Sequence, residues 1–220
     1  MFEAVIFDWD GTLADTRKPI LHSFHVALRK VADTDIDDQT IDRLIGIGAS
    51  NTFREILRLK HVPTNDEIIR RLVARKIEAE IAVSNQTELF PGALELLGAL
   101  QGKVKLAVAS MKNRPLVEYL LDSTKTRSFF QAVVTVEDVA KPKPDPEIFL
   151  KAAQLLRCPP KYCVVVEDSV YGVKAAKAAG IKCIGVTQGF YKKAELEAAG
   201  ADLVVTSLLD KVAILAFIFG

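Results

Sequence analysis

Several features that would place the chain in a special class are missing from its 220 residues. The charges nearly cancel, with 29 Lys+Arg against 28 Asp+Glu, so no general basic field is present to hold nucleic acid or an anionic membrane. The three cysteines are odd in number and widely spaced, which argues against a disulfide framework and against a structural zinc site. The N-terminus lacks the pattern of a signal peptide, and the apolar stretch at residues 212–219 is too short to span a bilayer. These absences predict a cytoplasmic protein that binds neither nucleic acid nor membrane.

The sequence does contain a regular alternation of short apolar runs with helical patterns. The runs have no polar face, which is typical of strands buried on both sides of a parallel sheet. We expect strands at residues 4–7, 104–109, 132–136, 163–166, 182–186 and 203–205. Helices are expected at residues 91–100, 114–123, 145–156, 170–179, 193–199 and 207–216. This alternation predicts a doubly wound, Rossmann-like α/β fold around a parallel sheet.

One region interrupts the alternation. Between residue 17 and about residue 85 the apolar positions repeat only with helical spacing, and four helices are expected near 17–32, 37–45, 51–60 and 65–84. The polar run at residues 84–88 is interpreted as a linker that returns to the sheet. The sequence therefore predicts a discontinuous α/β core, residues 1–15 and 87–220, with an all-helical insert at residues 16–86.

Pairs of acidic residues follow two of the predicted strands. Asp8 and Asp10 come directly after the first strand, and the alternation of an extended chain would point both to the same side. Glu167 and Asp168 end another strand, where adjacent carboxylates are costly unless a cation neutralises them. Oxygen ligands without His or Cys suit Mg²⁺. The alternative is that these acids only cap a turn or the start of a helix.

Two further strand ends carry groups suited to an anion. Lys141 lies in a proline-spaced loop, where it can balance nearby acids and hold a phosphate as a point charge. Ser110 offers a hydroxyl to a phosphoryl oxygen. Alone, each is typical of an ordinary surface loop or turn. Because the carboxyl ends of parallel strands meet at one edge, we expect all four clusters to lie together there.

The order and types of these residues resemble those of the haloacid dehalogenase superfamily of aspartate-dependent phosphotransferases. The likeness covers nearly the whole chain. The segment Asp8-Trp9-Asp10-Gly11-Thr12 is similar to the family's first motif, Ser110 to its second, Lys141 to its third and Glu167-Asp168 to its fourth. The resemblance implies that Asp8 attacks phosphorus and that Asp10 serves as general acid and then general base.

The resemblance also implies how the site is held together. Mg²⁺ would be bound by Asp8, by the backbone carbonyl of Asp10 and by Asp168, with Glu167 reaching it directly or through water. The phosphoryl oxygens would be held by Thr12, Ser110 and Lys141.

Within the superfamily the chain most resembles phosphoglycolate phosphatases and their β-phosphoglucomutase-like relatives. The insert at residues 16–86 is similar to the family's helical cap, which selects the substrate. Candidate cap residues are Gly46, Gly48, Ser50 and Asn51, because a helix that starts there could receive a small carboxylate. A plain turn between helices is the alternative. We expect hydrolysis of a small phosphorylated metabolite, with phosphoglycolate as first candidate.

Two other functions remain open at this point. A sugar-phosphate mutase would need cations in the cap for a second phosphate, and the related mutases carry Lys and Arg where this chain has Ile45 and Ala49. A non-enzymatic receiver module also combines a phosphorylated Asp, an acid pair, a hydroxyl and a Lys. In receivers, however, the acid pair precedes the phosphorylated Asp, whereas Glu167-Asp168 comes last.

Overall fold

The computed structural model of the protein describes residues 1–84 and 87–220. Two residues of the predicted linker, Asn85 and Gln86, lie outside the described residues, as does the expected boundary between 86 and 87. The strands are β1 Ala4–Phe7, β2 Ala14–Asp15, β3 Glu88–Leu89, β4 Lys105–Ala109, β5 Ala132–Val134, β6 Cys163–Glu167, β7 Lys182–Val186 and β8 Leu203–Val205. The helices are α1 Arg17–Val31, α2 Asp38–Leu44, α3 Ala49–Leu59, α4 Asp66–Val83, α5 Ala93–Leu100, α6 Arg114–Ser123, α7 Glu147–Leu155, α8 Val170–Ala178, α9 Lys193–Ala199 and α10 Lys211–Phe219.

Six strands form one parallel sheet in the order β5-β4-β1-β6-β7-β8. The central strand β1 pairs with β4 on one side and with β6 on the other, so that Phe7 lies opposite both Val108 and Val166. The chain continues from these three strands at nearly the same level. This register places the residues that follow β1, β4 and β6 side by side at the carboxyl edge, where ligands bind in open α/β sheets.

Successive residues of each strand are buried on opposite faces of the sheet. In β1, Val5 and Phe7 pack into one apolar layer and Ala4 and Ile6 into the other. Helices α5, α6 and α10 contribute to the first layer, and α7, α8 and α9 to the second. A strand covered on both faces needs apolar residues throughout, which explains the continuous apolar runs. The predicted doubly wound α/β class is confirmed.

The four helices α1 to α4 enclose an apolar cluster of their own. Ile20, Phe24 and Leu28, which recur at helical spacing along α1, are buried there against Phe53 of α3 and Leu72 of α4. Helices α1 and α4 make the main contact within this group. The group lies over the carboxyl edge of the sheet, because residues of α1, α3 and α4 line one cavity together with residues that follow β1 and β6. Arg43 of α2 also pairs with Glu195 of α9.

Helices α3, α5, α7 and α10 start two or more residues from their predicted positions, and an aspartate hydrogen bond accounts for the last two. The last helix begins at Lys211 rather than near 207, because the Asp210 carboxylate accepts hydrogen bonds from the backbone N–H groups of Thr206 and Ser207 and closes a turn there. Helix α7 begins at Glu147 rather than at 145, since the Asp145 carboxylate accepts from the Glu147 N–H.

The short antiparallel pair of β2 and β3 was also absent from the prediction, because two residues are too few to show alternation. Among the described residues, the helices include none with the length and apolarity needed to cross a membrane.

Candidate active site

The first acid pair lies at the centre of the carboxyl edge. Asp8 follows β1 directly, and its backbone N–H still donates to the Val166 carbonyl at 3.0 Å. Asp8 is buried, Asp10 is partly buried, and both side chains line a cavity between the sheet edge and the four-helix group. Gly11 turns the chain with a φ of +78°, and a Cβ there would lie 2.3 Å from Asp168 Oδ2. Glycine is therefore required at this position for the two acidic segments to approach each other.

A buried lysine joins the acids of the first and the last motif. Lys143 Nζ donates to Asp8 Oδ1 at 2.5 Å and to Glu167 Oε1 at 2.7 Å. It also donates to the Ala109 carbonyl at the end of β4. The Lys143 side chain is 1% exposed, and its contacts are charge-assisted hydrogen bonds in a dry environment.

The sequence prediction that Lys141 fills this position is wrong. Lys141 points to solvent, with 74% of its side chain exposed, and its nearest carboxylate is Asp145 at 3.9 Å. Both lysines precede a proline in Lys141-Pro142-Lys143-Pro144, so the local pattern is the same for each. Only the path of the loop towards α7 decides which side chain turns inward. Two backbone N–H groups of the loop, those of Ala140 and Lys141, donate to the Glu147 carboxylate and anchor that path.

The start of α8 positions Glu167 of the second acid pair. Glu167 Oε2 accepts from the Ser169 N–H at 2.6 Å, and Ser169 in turn caps α8 by accepting from the Gly172 N–H. A Cβ at Gly172 would lie 1.7 Å from Glu167 Oε1, so the glycine leaves room for the acid. The residue that caps the helix is thus Ser169, whereas Glu167 and Asp168 line the cavity.

The hydroxyls of the two predicted phosphate ligands, Thr12 and Ser110, both have hydrogen-bond partners within the protein. The Thr12 hydroxyl donates to Asp168 Oδ1 at 3.1 Å, and Asp168 Oδ2 accepts from the Phe190 N–H at 3.2 Å. Ser110 follows β4, and its hydroxyl accepts from the Lys112 N–H at 3.2 Å. Both residues are buried and neither lines the cavity: Thr12 orients Asp168, and the Ser110 hydroxyl is bonded by the Lys112 N–H.

The electrostatics of the cluster favour an additional cation. Burial raises the pKa of Asp8 to about 7, although Lys143 opposes the shift. Burial, together with Glu167 and Asp8, also raises the pKa of Asp168. Three buried carboxylates therefore share one ammonium group, and they stay ionised together only if a further cation joins the cluster.

The donor set fits a magnesium ion by its chemistry. Asp8, Glu167 and Asp168 supply only carboxylate oxygens, the ligands that Mg²⁺ prefers. Throughout residues 1–84 and 87–220, no three His, Cys, Asp or Glu side chains already surround a common metal position. Lys143 bonds one oxygen of Asp8 and one of Glu167.

The predicted cap residues separate into two groups. Gly46 and Gly48 line the cavity beside Asp8, as do Ile45 and Ala49. Ser50 and Asn51 do not line it and face a neighbouring groove. Helix α3 begins at Ala49, so its first turn does reach the cavity wall, but the side chains of Ser50 and Asn51 point away from it.

Three charged residues at the cavity were missed by the sequence prediction. Lys112 Nζ lies 2.7 Å from Asp10 Oδ1, an ion-pair distance without hydrogen-bond geometry, and 2.6 Å from Glu80 Oε1. Glu80 Oε2 also bonds Lys76 Nζ. Lys76 and Glu80 lie one turn apart on α4 within an otherwise charged helical surface, so only their burial distinguishes them. Lys112 lies two residues after Ser110, and this closeness to a predicted site residue is the sequence signal that could have identified it.

The comparisons with known proteins agree with this geometry. A family model described as haloacid dehalogenase-like hydrolase matches residues 5–186. The chain belongs to the haloacid dehalogenase-like hydrolase family. Among its relatives, "Probable phosphatase IndB" of Dickeya dadantii is 34% identical over 94% of this chain and 91% of its own length. "Beta-phosphoglucomutase" of Bacillus subtilis is 32% identical over 94% and 91%, and "Phosphoglycolate phosphatase" of Pseudomonas putida 28% over 93% and 76%.

A solved structure gives the same result for the whole chain. The crystal structure of a hydrolase from Pseudomonas syringae superposes with a TM-score of 0.89 at 29% identity, covering 98% of this chain and 99% of that one. The predicted family resemblance is confirmed, and the chain is an enzyme of the phosphatase type. The receiver-module alternative is set aside.

Proposed function

We propose that the protein is a Mg²⁺-dependent phosphomonoester hydrolase that acts through an aspartyl phosphate on Asp8. The observation that carries the proposal is the position of Asp8, buried on a cavity wall and joined to Glu167 of the acid pair by Lys143. A buried acid with a raised pKa on a cavity wall is a candidate catalytic residue. The family relationship supports the same chemistry.

In the first half-reaction, a carboxylate oxygen of Asp8 attacks phosphorus and the bond from phosphorus to the leaving oxygen breaks. Asp10, two residues along the same turn, gives that oxygen its proton. In the second half-reaction, Asp10 takes a proton from water as the water oxygen bonds to phosphorus. The bond from phosphorus to Asp8 then breaks, and inorganic phosphate and the free carboxylate are restored.

The charged neighbours of Asp8 make this attack possible. Lys143 holds Asp8 Oδ1 in place and offsets the repulsion between an anionic nucleophile and an anionic phosphate. Asp8, Glu167, Asp168 and the backbone carbonyl of Asp10 are the groups we assign to Mg²⁺, which would supply charge neutralisation at the phosphoryl oxygens. Lys143 takes the role that the sequence prediction gave to Lys141, and Ser110 remains a candidate phosphate ligand.

We propose that residues 16–86 act as a cap over this edge and choose a small phosphorylated metabolite. Phosphoglycolate stays the first candidate, because the first turn of α3 borders the cavity at Ala49 and its free N–H groups suit a small carboxylate. Sugar-phosphate mutase activity is the second candidate and is supported by the β-phosphoglucomutase relative. Against it, Ile45 and Ala49 put no charge on this part of the wall.

The proposal is tested by turnover of p-nitrophenyl phosphate before and after metal removal. We expect repeated turnover with Mg²⁺, loss of activity in a chelator, recovery when Mg²⁺ is restored, and poor replacement by Ca²⁺ with its looser coordination shell. Full activity in the chelator would rule out the metal assignment.

A cytoplasmic location also remains a proposal, supported by the three free, buried cysteines.

A further inference from the structure

A row of four charged residues runs along one side of the cavity, from α4 to Asp10. Glu80 of α4 is 2% exposed and bonds two ammonium groups, Lys76 of the same helix and Lys112 of the sheet core. Lys112 in turn reaches Asp10. Two cations are thus matched by two carboxylates, and the row links the four-helix group to the core.

The positions of these side chains relative to the cavity differ. Lys76 and Lys112 line the cavity, whereas Glu80 does not and lies behind them. A bound leaving group would therefore contact the two ammonium groups. Glu80 is the counter-ion that offsets their positive charge. Lys76 also lies 5.4 Å from the centre of the Phe24 ring, and Glu80 is the carboxylate that it bonds.

The remaining wall adds no uncompensated charge to this side. Its uncharged side chains include Ile20, Phe24, Ile45, Met111, Thr52 and Asn113. Among the residues that the structure describes, the leaving-group side of the cavity therefore carries no charged side chains apart from the two lysines. The ion pairs of these lysines with Glu80 therefore set how much negative charge on a leaving group the cavity can neutralise.

We propose that Glu80 is a specificity-determining residue that limits the negative charge accepted on the leaving group, by neutralising Lys76 and Lys112. With Glu80 in place, a monophosphate with a neutral or singly charged leaving group is accepted, and a second phosphate is rejected. The effect of Glu80 on turnover rests on the proposed phosphatase function. Its effect on the binding of charged ligands, which we call the charge rule, can be measured without turnover.

Glu80 is ionised in this environment. Burial alone would raise its pKa, but Lys112 and Lys76 outweigh burial and bring the pKa to about 2. The carboxylate is thus charged at neutral pH and acts as a fixed counter-ion rather than a proton carrier. Removing its charge while keeping its shape leaves one ammonium group without a partner at the cavity wall.

The test compares two ligand pairs that differ only in one charge. For binding, the pair is 3-phosphonopropanoate and its amide, which cannot be hydrolysed and are titrated in a calorimeter with Mg²⁺ present. For turnover, the pair is phosphoglycolate and phosphoglycolamide. The measured quantity is the preference for the carboxylate over the amide, as a ratio of Kd values and as a ratio of kcat/KM values.

We expect Glu80→Gln to raise the preference for the carboxylate about tenfold, which corresponds to one added charge-assisted contact of about 1.4 kcal/mol. Glu78→Gln is the matched control. It removes the same charge from the same helix at a site that is 66% exposed and pairs with Arg75, and it should leave the ratio unchanged.

A second variant acts in the opposite direction and does not depend on Glu80→Gln being stable. Lys76→Met leaves the Glu80 charge with only Lys112, and it should lower the preference for the carboxylate about tenfold. Thermal unfolding identifies which variants are folded. The proposal is overturned if folded Glu80→Gln keeps the wild-type ratio, or if the two variants shift the ratio in the same direction.

The two proposals fail in different ways. If no phosphomonoester is turned over but the binding ratio shifts as expected, the charge rule stands and the phosphatase function is wrong. If p-nitrophenyl phosphate is hydrolysed but neither ratio responds to Glu80→Gln, the function stands and the charge rule is wrong.

Discussion

The cavity has two walls that arise from the sequence in different ways. On the sheet side, Asp8 and Glu167 sit at or directly after the end of a strand, and the register of three neighbouring strands brings them together. On the side of the four-helix group, Lys76 and Glu80 lie in the second half of a long helix, and Glu80 bonds Lys112 across the fold. The first wall is set by position in the chain, and the second is set by how separate elements pack.

This difference explains why the chemistry can be read from the chain more readily than the specificity. A strand end in a parallel sheet has a defined place, so an acid there is placed as soon as the strand is recognised. A charged residue on an amphipathic helix is indistinguishable from its exposed neighbours until the helix is packed. Lys76 and Glu80 share their helix with Arg75 and Glu78, which pair with each other in solvent.

The largest expected effect tests the sheet wall. Asp8→Asn should lower kcat for p-nitrophenyl phosphate by about 10⁴-fold or more, because an amide matches the carboxylate in shape but is not a nucleophile. Steady-state kinetics measure the loss, and circular dichroism reports whether the fold is kept. Asp33→Asn, at an exposed position with a φ of +47° that Asn tolerates, is the matched control and should be silent.

Asp10 should show a dependence on the leaving group. Asp10→Asn is expected to slow an alkyl phosphate by about 10²- to 10⁴-fold and p-nitrophenyl phosphate by less, because nitrophenolate leaves without a proton. The two substrates are compared by kcat/KM. Equal slowing of both would show that Asp10 does not act as the general acid.

The two neighbouring lysines give a direct test within one loop. Lys143→Met should lower kcat by about 10²- to 10³-fold and reduce the free energy of unfolding by about 3 kcal/mol, because it leaves buried carboxylates without their cation. Lys141→Met is the matched control and should change neither, since that side chain is in solvent. Kinetics and chemical denaturation measure both effects. Loss of activity in Lys141→Met with normal activity in Lys143→Met would restore the original assignment.

The lysine pair also marks the limit of sequence-based reasoning at the sheet wall. The strands, the helical insert and the acids follow from local patterns that the fold preserves. The choice between Lys141 and Lys143 does not, because each is followed by proline and each is near acids in the sequence. Thr12 is a similar case, since its place was foreseen but its bond to Asp168 depends on a segment 156 residues away.

The smallest effect tests the helical group alone, through pH. Burial lowers the pKa of His25, but hydrogen bonds with Asp35 and Asp38 outweigh burial, and the net shift is upward. A raised pKa gives stability that is full below the pKa of the unfolded state, about 6.5, and is lost as pH rises through the folded value. His25→Gln should therefore cost up to about 1 kcal/mol at pH 5.5 and less at higher pH, since the pair is partly exposed.

Urea unfolding of the wild-type protein and of His25→Gln at several pH values measures this difference. His22→Gln, on the same helix at an exposed position, controls for histidine titration elsewhere. A stability difference that grows with pH would contradict the assigned ion pair.

The central claim is that phosphate passes through a covalent bond to Asp8. The most direct measurement is to mix the Mg²⁺-loaded enzyme with excess substrate, quench it in acid within the first turnover and determine the mass of the intact protein and of its peptides. We expect the mass of one phosphoryl group on the peptide that contains Asp8, and none in Asp8→Asn. A phosphoryl group on another residue, or normal phosphate release by Asp8→Asn, would contradict the mechanism.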